Sequence, residues 1–277
     1  MAIKNILIHI DNSAACEHRI DAAIQLAVQH EAQLSGIYVI PDFPTATYYE
    51  AQISADIIAE IDKEALETAK LAQRKYIDMA SKAGFSLTVV IEKGNPISIL
   101  DEYARFTDLF VLGQNHPEDP ENMSEALADN LVLEVGAPCL IAPYASPKQF
   151  ATKRVLVAWN ASREAARTLK DAIPILKNAD YVEELLVNPS QHEAGKDSIQ
   201  GKRVSSFLMQ HGIKSEIQVK TGNKSKPGDT IIARASEIDA DMIVMGAYGH
   251  SRLREIILGG VTRKLLKQMT VPVFVSH

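Results

Sequence analysis

Lys4-Asn-Ile-Leu-Ile-His-Ile-Asp-Asn-Ser13 lines up with Lys153-Arg-Val-Leu-Val-Ala-Trp-Asn-Ala-Ser162, an offset of 149 residues. Two further pairs repeat the relation. Thr107-Asp-Leu-Phe-Val-Leu-Gly113 matches Ala240-Asp-Met-Ile-Val-Met-Gly246 at an offset of 133, and Gly136-Ala-Pro-Cys-Leu-Ile141 matches Thr270-Val-Pro-Val-Phe-Val275 at 134. A solenoid unit recurs every ~20–50 residues, so a period this long marks a duplicated domain whose second copy is shorter in its middle. The 277 residues divide accordingly into a first domain, 1–143, a linker, 144–152, and a second domain, 153–277. Each domain is of ordinary size.

Within each copy, apolar runs alternate with stretches of helical periodicity. The first reads as strand 5–10, helix 14–30 with Ile20, Ala23, Ile24 and Ala27 on one face, strand 34–40, helix 54–83, strand 86–92, helix 97–106, strand 109–112, helix 123–135 and strand 139–142. The second reads as strand 155–159, helix 163–177, strand 182–187, helix 196–211, strand 214–220, helix 230–238, strand 242–245, helix 260–268 and strand 271–275. The near-continuous apolar runs at 109–112 and 242–245 suit a parallel sheet buried on both faces. The expected fold is α/β: two repeated doubly wound domains, each a five-stranded parallel sheet with helices on both faces. The apolar last strands are edges that need cover. The halves are therefore expected to pack as an internal pseudo-dimer, and a homodimer of whole chains is the further possibility.

Composition narrows the function. A net charge of −6 opposes wrapping a nucleic acid, which needs a basic surface. Cys16 and Cys139 are far apart and lack metal spacing, and the eight histidines form no H-E-x-x-H or Cys/His cluster. No run approaches the ~20 apolar residues of a membrane span, and the first residues are too short and too alternating for a signal peptide. The expected location is the cytoplasm, with neither nucleic acid nor membrane as partner. No G-x-G-x-x-G follows either first strand, no G-x-S-x-G occurs, and Gly222-Asn-Lys-Ser225 lacks the Gly-Lys of a P-loop.

One segment carries chemistry. After the strand at 242–245 comes Gly246-Ala-Tyr-Gly249-His-Ser-Arg-Leu-Arg-Glu-Ile-Ile-Leu-Gly259-Gly260-Val-Thr262. Open α/β sheets bind ligands beyond the carboxyl ends of their strands. Gly246 and Gly249 allow a sharp turn and close approach of backbone to ligand. Gly259 and Gly260 open a helix, whose free N–H groups and dipole suit a phosphate. Thr262 adds a hydroxyl in the first turn, and His250 lies within the loop. The same glycines would also serve tight turns and close packing alone.

These residues resemble the universal stress protein family in its tandem form. The family's motif G-x2-G-x9-G-[ST] is matched by Gly246, Gly249 and Gly259, with Gly260 where the family usually has Ser or Thr. The resemblance spans essentially the whole chain and implies an adenine-nucleotide α-hydrolase-like sheet that binds ATP, with or without Mg2+, its phosphates on this loop. The family's adenosine contacts, at the ends of the first and second strands, map to Ala158 and Asn160 and to Val187; Met245 and Val261 flank the glycines and complete the nucleotide-binding set. Asn160 reads equally as a helix-capping residue. Family dimers pair through their last strands, which implies the same for these halves.

The first copy lacks this site. Gly113 remains, but His116 replaces the second glycine, and Ala126 and Leu127 stand where Gly259 and Gly260 are. Window 246–267 carries Arg252, Arg254, Arg263, Lys264 and Lys267 against Glu255, a net +4; window 113–134 carries Glu118, Asp119, Glu121, Glu125, Asp129 and Glu134 without a Lys or Arg, a net −6. A polyphosphate is repelled there. The expected function is a stress-response protein binding ATP or a related adenine nucleotide in its second domain, as sensor or regulator and not an enzyme. No positioned general base or carboxylate pair for magnesium is apparent, so any hydrolysis is slow. The alternatives are a slow ATPase and a nucleotide-free interaction module. The latter would bind a protein or an apolar ligand through the first domain, beneath helix 54–83 and Phe43-Pro-Thr-Ala-Thr-Tyr-Tyr49.

Overall fold

The computed structural model describes residues 2–42, 54–116, 118–119, 127–145, 149–188, 199–221, 227–247 and 260–277. The first half runs β1 Asn5–Ile10, α1 Cys16–His30, β2 Gln33–Pro41, α2 Ala55–Lys82, β3 Leu87–Gly94, α3 Pro96–Ala104, β4 Leu109–Gly113, α4 Leu127–Glu134 and β5 Cys139–Ala142. The second runs β6 Arg154–Trp159, α5 Arg163–Asp171, α6 Ile173–Leu176, β7 Tyr181–Val187, α7 Ile199–Gln210, β8 Glu216–Lys220, α8 Pro227–Glu237, β9 Met242–Gly246, α9 Gly260–Gln268 and β10 Val273–Ser276.

The strands form one ten-stranded sheet, β3-β2-β1-β4-β5-β10-β9-β6-β7-β8. Each half contributes five parallel strands in the same order, and the halves meet where β5 and β10 pair antiparallel, Val273 opposite Ile141 and Val275 opposite Cys139. The two apolar edges thus cover each other, and the two expected sheets are one. Successive strand residues face opposite sides. Ile6, Ile8 and Ile10 join a cluster with residues of α1, α2, α5, α6 and α7, whereas Leu7, Phe110, Leu112 and Met245 join one with α3, α4, α8 and α9.

The repeat extends to details of hydrogen bonding. Asp108 Oδ2 accepts from the backbone N–H groups of Lys4 and Asn5 at 2.8 and 2.9 Å, and Asp241 Oδ2 accepts from those of Lys153 and Arg154 at 3.0 and 2.8 Å. Each carboxylate fixes the start of its half's first strand. Helix ends follow capping chemistry: the Ser54 hydroxyl accepts from Ile57 N, and Asn95 caps α3 ahead of Pro96.

The expected single helix over 163–177 is broken. α5 stops at Asp171 and α6 begins at Ile173, because Pro174 has no N–H to continue the ladder and its ring crowds the preceding turn. In β7 the pattern carries two buried carboxylates. Glu183 accepts both arms of Arg234, at 2.8 and 2.6 Å, while Glu184 accepts from the hydroxyls of Ser205 and Ser215. Burial pushes the Glu184 carboxyl up, against those hydroxyl bonds. Among the described residues no helix is long and apolar enough to cross a membrane.

Candidate functional site

At the carboxyl edge of β6, β7 and β9 the sheet brings four of the sequence-predicted residues together. Ala158 lies opposite Leu185 on β7 and Met245 on β9. Ala158, Val187, Met245 and Val261 all pack into the cluster on the α8 and α9 side. Val261, the second residue of α9, brings that helix's first turn onto the same cluster. Asn160 is exposed just beyond, and its Oδ1 accepts from Ser162 N at 3.1 Å. The helix cap is Ser162 itself, whose Oγ accepts from Ala165 N at 3.1 Å. Asn160 therefore anchors the turn ahead of the cap, a turn in which Ala161 adopts φ 61°.

The glycines divide in role. A Cβ on Gly246 would lie 2.4 Å from Ala165 N and 2.6 Å from Glu164 C. That contact is with backbone, which cannot step aside, so Gly246 is glycine because the amino end of α5 packs directly on β9. Of the two readings the sequence leaves open for this glycine, close packing is met here. Gly260 is the opposite case: exposed, first in α9, with nothing among the described residues within 4 Å of an added Cβ. Thr262 is only 2% exposed, so its hydroxyl is not displayed beside Gly260 at an open surface. Of the basic surround, Lys264 is paired with Asp229 at 3.0 Å. Gly249, His250 and Gly259 lie outside the described residues. Among the described residues no group of three or more His, Cys, Asp or Glu side chains is placed to hold a metal ion.

The matching edge of the first half is filled from within. Arg19, 2% exposed, reaches from α1 to the end of β1. Its Nη1 donates to the His9 carbonyl at 2.7 Å and to Asp11 Oδ2 at 3.0 Å, and Nη2 donates to Ser13 Oγ at 3.3 Å. A Cβ on Gly113 would fall 2.3 Å from Nη2, so this glycine makes room for a guanidinium. Asp119 Oδ2 takes the backbone N–H of Ala14 at 3.0 Å. What is left is a hollow of about 30 Å³ lined by His9, Asp11, Arg19, Gly113 and His116, about one water's volume.

Electrostatics follow from this burial. Desolvation holds the His9 imidazole down to about 4, with Asp11 pulling the other way. For Asp11, burial works upward, but the Arg19 guanidinium and His9 outweigh it and hold the carboxyl at about 2. Sequence reasoning missed both Asp11 and Arg19. Asp11 was findable, because it stands at the end of the first strand and aligns with Asn160 across the repeat. Arg19 was not, since beside Ile20 on an amphipathic helix it reads as a solvated residue.

The family model described as "Universal stress protein family" matches residues 2–121 and 151–277. The universal stress protein Slr1230 of Synechocystis sp. is 23% identical over 291 aligned residues, covering 98% of this chain and 99% of its own. Stress response protein NhaX of Bacillus subtilis is 41% identical over 49 residues, 18% of this chain and 30% of its own. Among solved structures, a universal stress protein from Archaeoglobus fulgidus superposes with a TM-score of 0.74 at 20% identity, covering 98% of this chain and 97% of that one. That likeness extends to the fold across both halves. With two copies of the family's domain accounting for most of its length, the chain belongs to the universal stress protein family.

Proposed function

We propose that the second half binds ATP or a related adenine nucleotide at the carboxyl edge of β6, β7 and β9, and that the protein acts as a sensor or regulator of the stress response. The observation that carries this is the contrast between the two edges. In the second half an apolar floor of Ala158, Val187, Met245 and Val261 adjoins the amino end of α9, where no described residue crowds Gly260; in the first, Arg19 and Asp119 fill the matching space. The base rests on the floor, the ribose lies toward Asn160, and the phosphates lie at the helix end, where free N–H groups and the dipole favour an anion. Val at position 259 puts a branched side chain where the motif brings backbone to phosphate. Isothermal titration with ATP is expected to give one site per chain, and Gly259→Val to weaken it about tenfold, ~1.4 kcal/mol. A stoichiometry of two, or binding untouched by that substitution, overturns the assignment.

A second reading, a first half that docks a protein or an apolar ligand, is favoured by the exposure of Val28 on α1 and of Ile57 and Leu71 on α2. Native mass spectrometry of the purified protein separates the two. Co-purifying nucleotide supports the first, and lipid without nucleotide the second.

A further inference from the structure

Trp159 is the last residue of β6 and the only tryptophan in the chain. It points away from Ala158, to the side covered by α5 and α7, and there it floors a groove of about 300 Å³. Leu169 on α5 and Val204 and Phe207 on α7 form the apolar walls. Lys170 and Arg203 also line the groove; both are exposed, and neither has a carboxylate partner among the described residues. The Trp159 Nε1 is buried without a hydrogen-bond acceptor.

The first half differs at the matching positions: Ile10, at the position of Trp159, is fully buried, and α2 is described over 28 residues where α7 is described over 12.

We propose that this groove is a second ligand site, separate from the nucleotide edge, for a small molecule with an apolar body and one carboxylate, of which a medium-chain fatty acid is the simplest. The volume reaches the lower end of small-molecule pockets, ~300–1,000 Å³. The lining is the usual one for such sites, apolar walls with a few charged groups that fix orientation. Two unpaired cations select an anion, and a carboxylate between them gains charge-assisted hydrogen bonds. The chain lies along Leu169, Val204 and Phe207.

Trp159 reports on its own site. Titrating decanoate below its micelle-forming concentration is expected to give a saturable change in tryptophan emission. The Lys170→Glu, Arg203→Glu double variant, altered only at exposed side chains, should weaken binding about tenfold or more. Its unfolding transition, followed by circular dichroism, should match the wild type. 1-Decanol, of equal length without charge, should bind about tenfold more weakly than decanoate. Ala166→Phe, which fills the groove from α5, should abolish the change. Saturating ATP should not displace decanoate, and Gly259→Val should leave its binding intact, so the two sites fail or stand separately. Absence of a saturable change, equal binding of decanol, or full binding by the charge-reversed variant overturns the proposal.

Discussion

At the end of β1 stands Asp11, and eight residues later, in α1, Arg19; at the end of β6, offset by the same 149 residues, stand Asn160 and Thr168. The backbones are alike, yet the two pairs do different work. Arg19 folds over Asp11 and fills the space above Gly113. Thr168 is too short to reach the strand end. Its hydroxyl donates to the Glu164 carbonyl and accepts from Ser276 N at 3.1 Å, tying α5 to β10. With nothing reaching up from below, α5 settles closer, until its backbone rests on Gly246. A duplicated domain can therefore close one of its two edges with a single long side chain.

The largest expected effect comes from removing that side chain. Arg19→Ala strands the Asp11 carboxylate in a buried setting and should cost about 3–5 kcal/mol, the usual penalty for breaking a buried pair from one side. Thr168→Ala loses two neutral hydrogen bonds and should cost about 1–2 kcal/mol. Urea denaturation of both variants reads the difference. Near-equal costs would mean that the two edges are built alike after all.

Next in size is the response to acid. The folded His9 value, about 4, lies below its ordinary 6.5. As pH falls through that window the unfolded chain takes up a proton that the folded chain refuses, so stability is lost between about pH 6.5 and 4. The full loss is about 3 kcal/mol. Asp11, also lowered, adds a further loss only below its ordinary 3.8. Glu184 works in the opposite direction, since its folded carboxyl is raised and binds its proton earlier. The test is therefore the difference between wild type and His9→Leu in urea midpoints at pH 7 and 4.5, with the variant expected to lose less. Parallel losses would show that His9 protonates as freely in the folded state.

The smallest effect lies at the other edge. Among the described residues, Gly260→Ser meets no atom within 4 Å of its new Cβ. It places a hydroxyl at the amino end of α9, and ATP affinity measured by titration should hold or rise by about 1 kcal/mol. Weaker binding would mean that the hydroxyl has no phosphate to meet.

Much of this was legible in the chain itself. The two copies, the order of their elements and the start of α9 at Gly260 follow from apolar periodicity and glycine placement, both local properties. The pairing of β5 with β10 was foreshadowed by two apolar last strands in need of cover. Other features escaped. Glu183 and Glu184 look like solvated carboxylates, but one is neutralised by Arg234, 51 residues on, and the other accepts hydrogen bonds from two serine hydroxyls. Arg19 looks like a surface arginine. Gly113 and Gly246, at matching places in the two copies, look like one repeated need, but one makes room for a guanidinium and the other for a helix backbone.

By itself the sequence determined that there are two α/β copies, where their strands and helices lie, and which copy keeps a glycine-rich, basic loop, because backbone periodicity, capping and charge are set by neighbours within a few residues. Only the tertiary structure decided that the copies share one ten-stranded sheet, that Arg19 fills the first edge, that Gly246 serves packing, and that a groove opens beside Trp159. Each of these depends on atoms of remote elements competing for the same few ångströms. Excluded volume and buried charge settle such contests, and they act only once the chain has closed on itself.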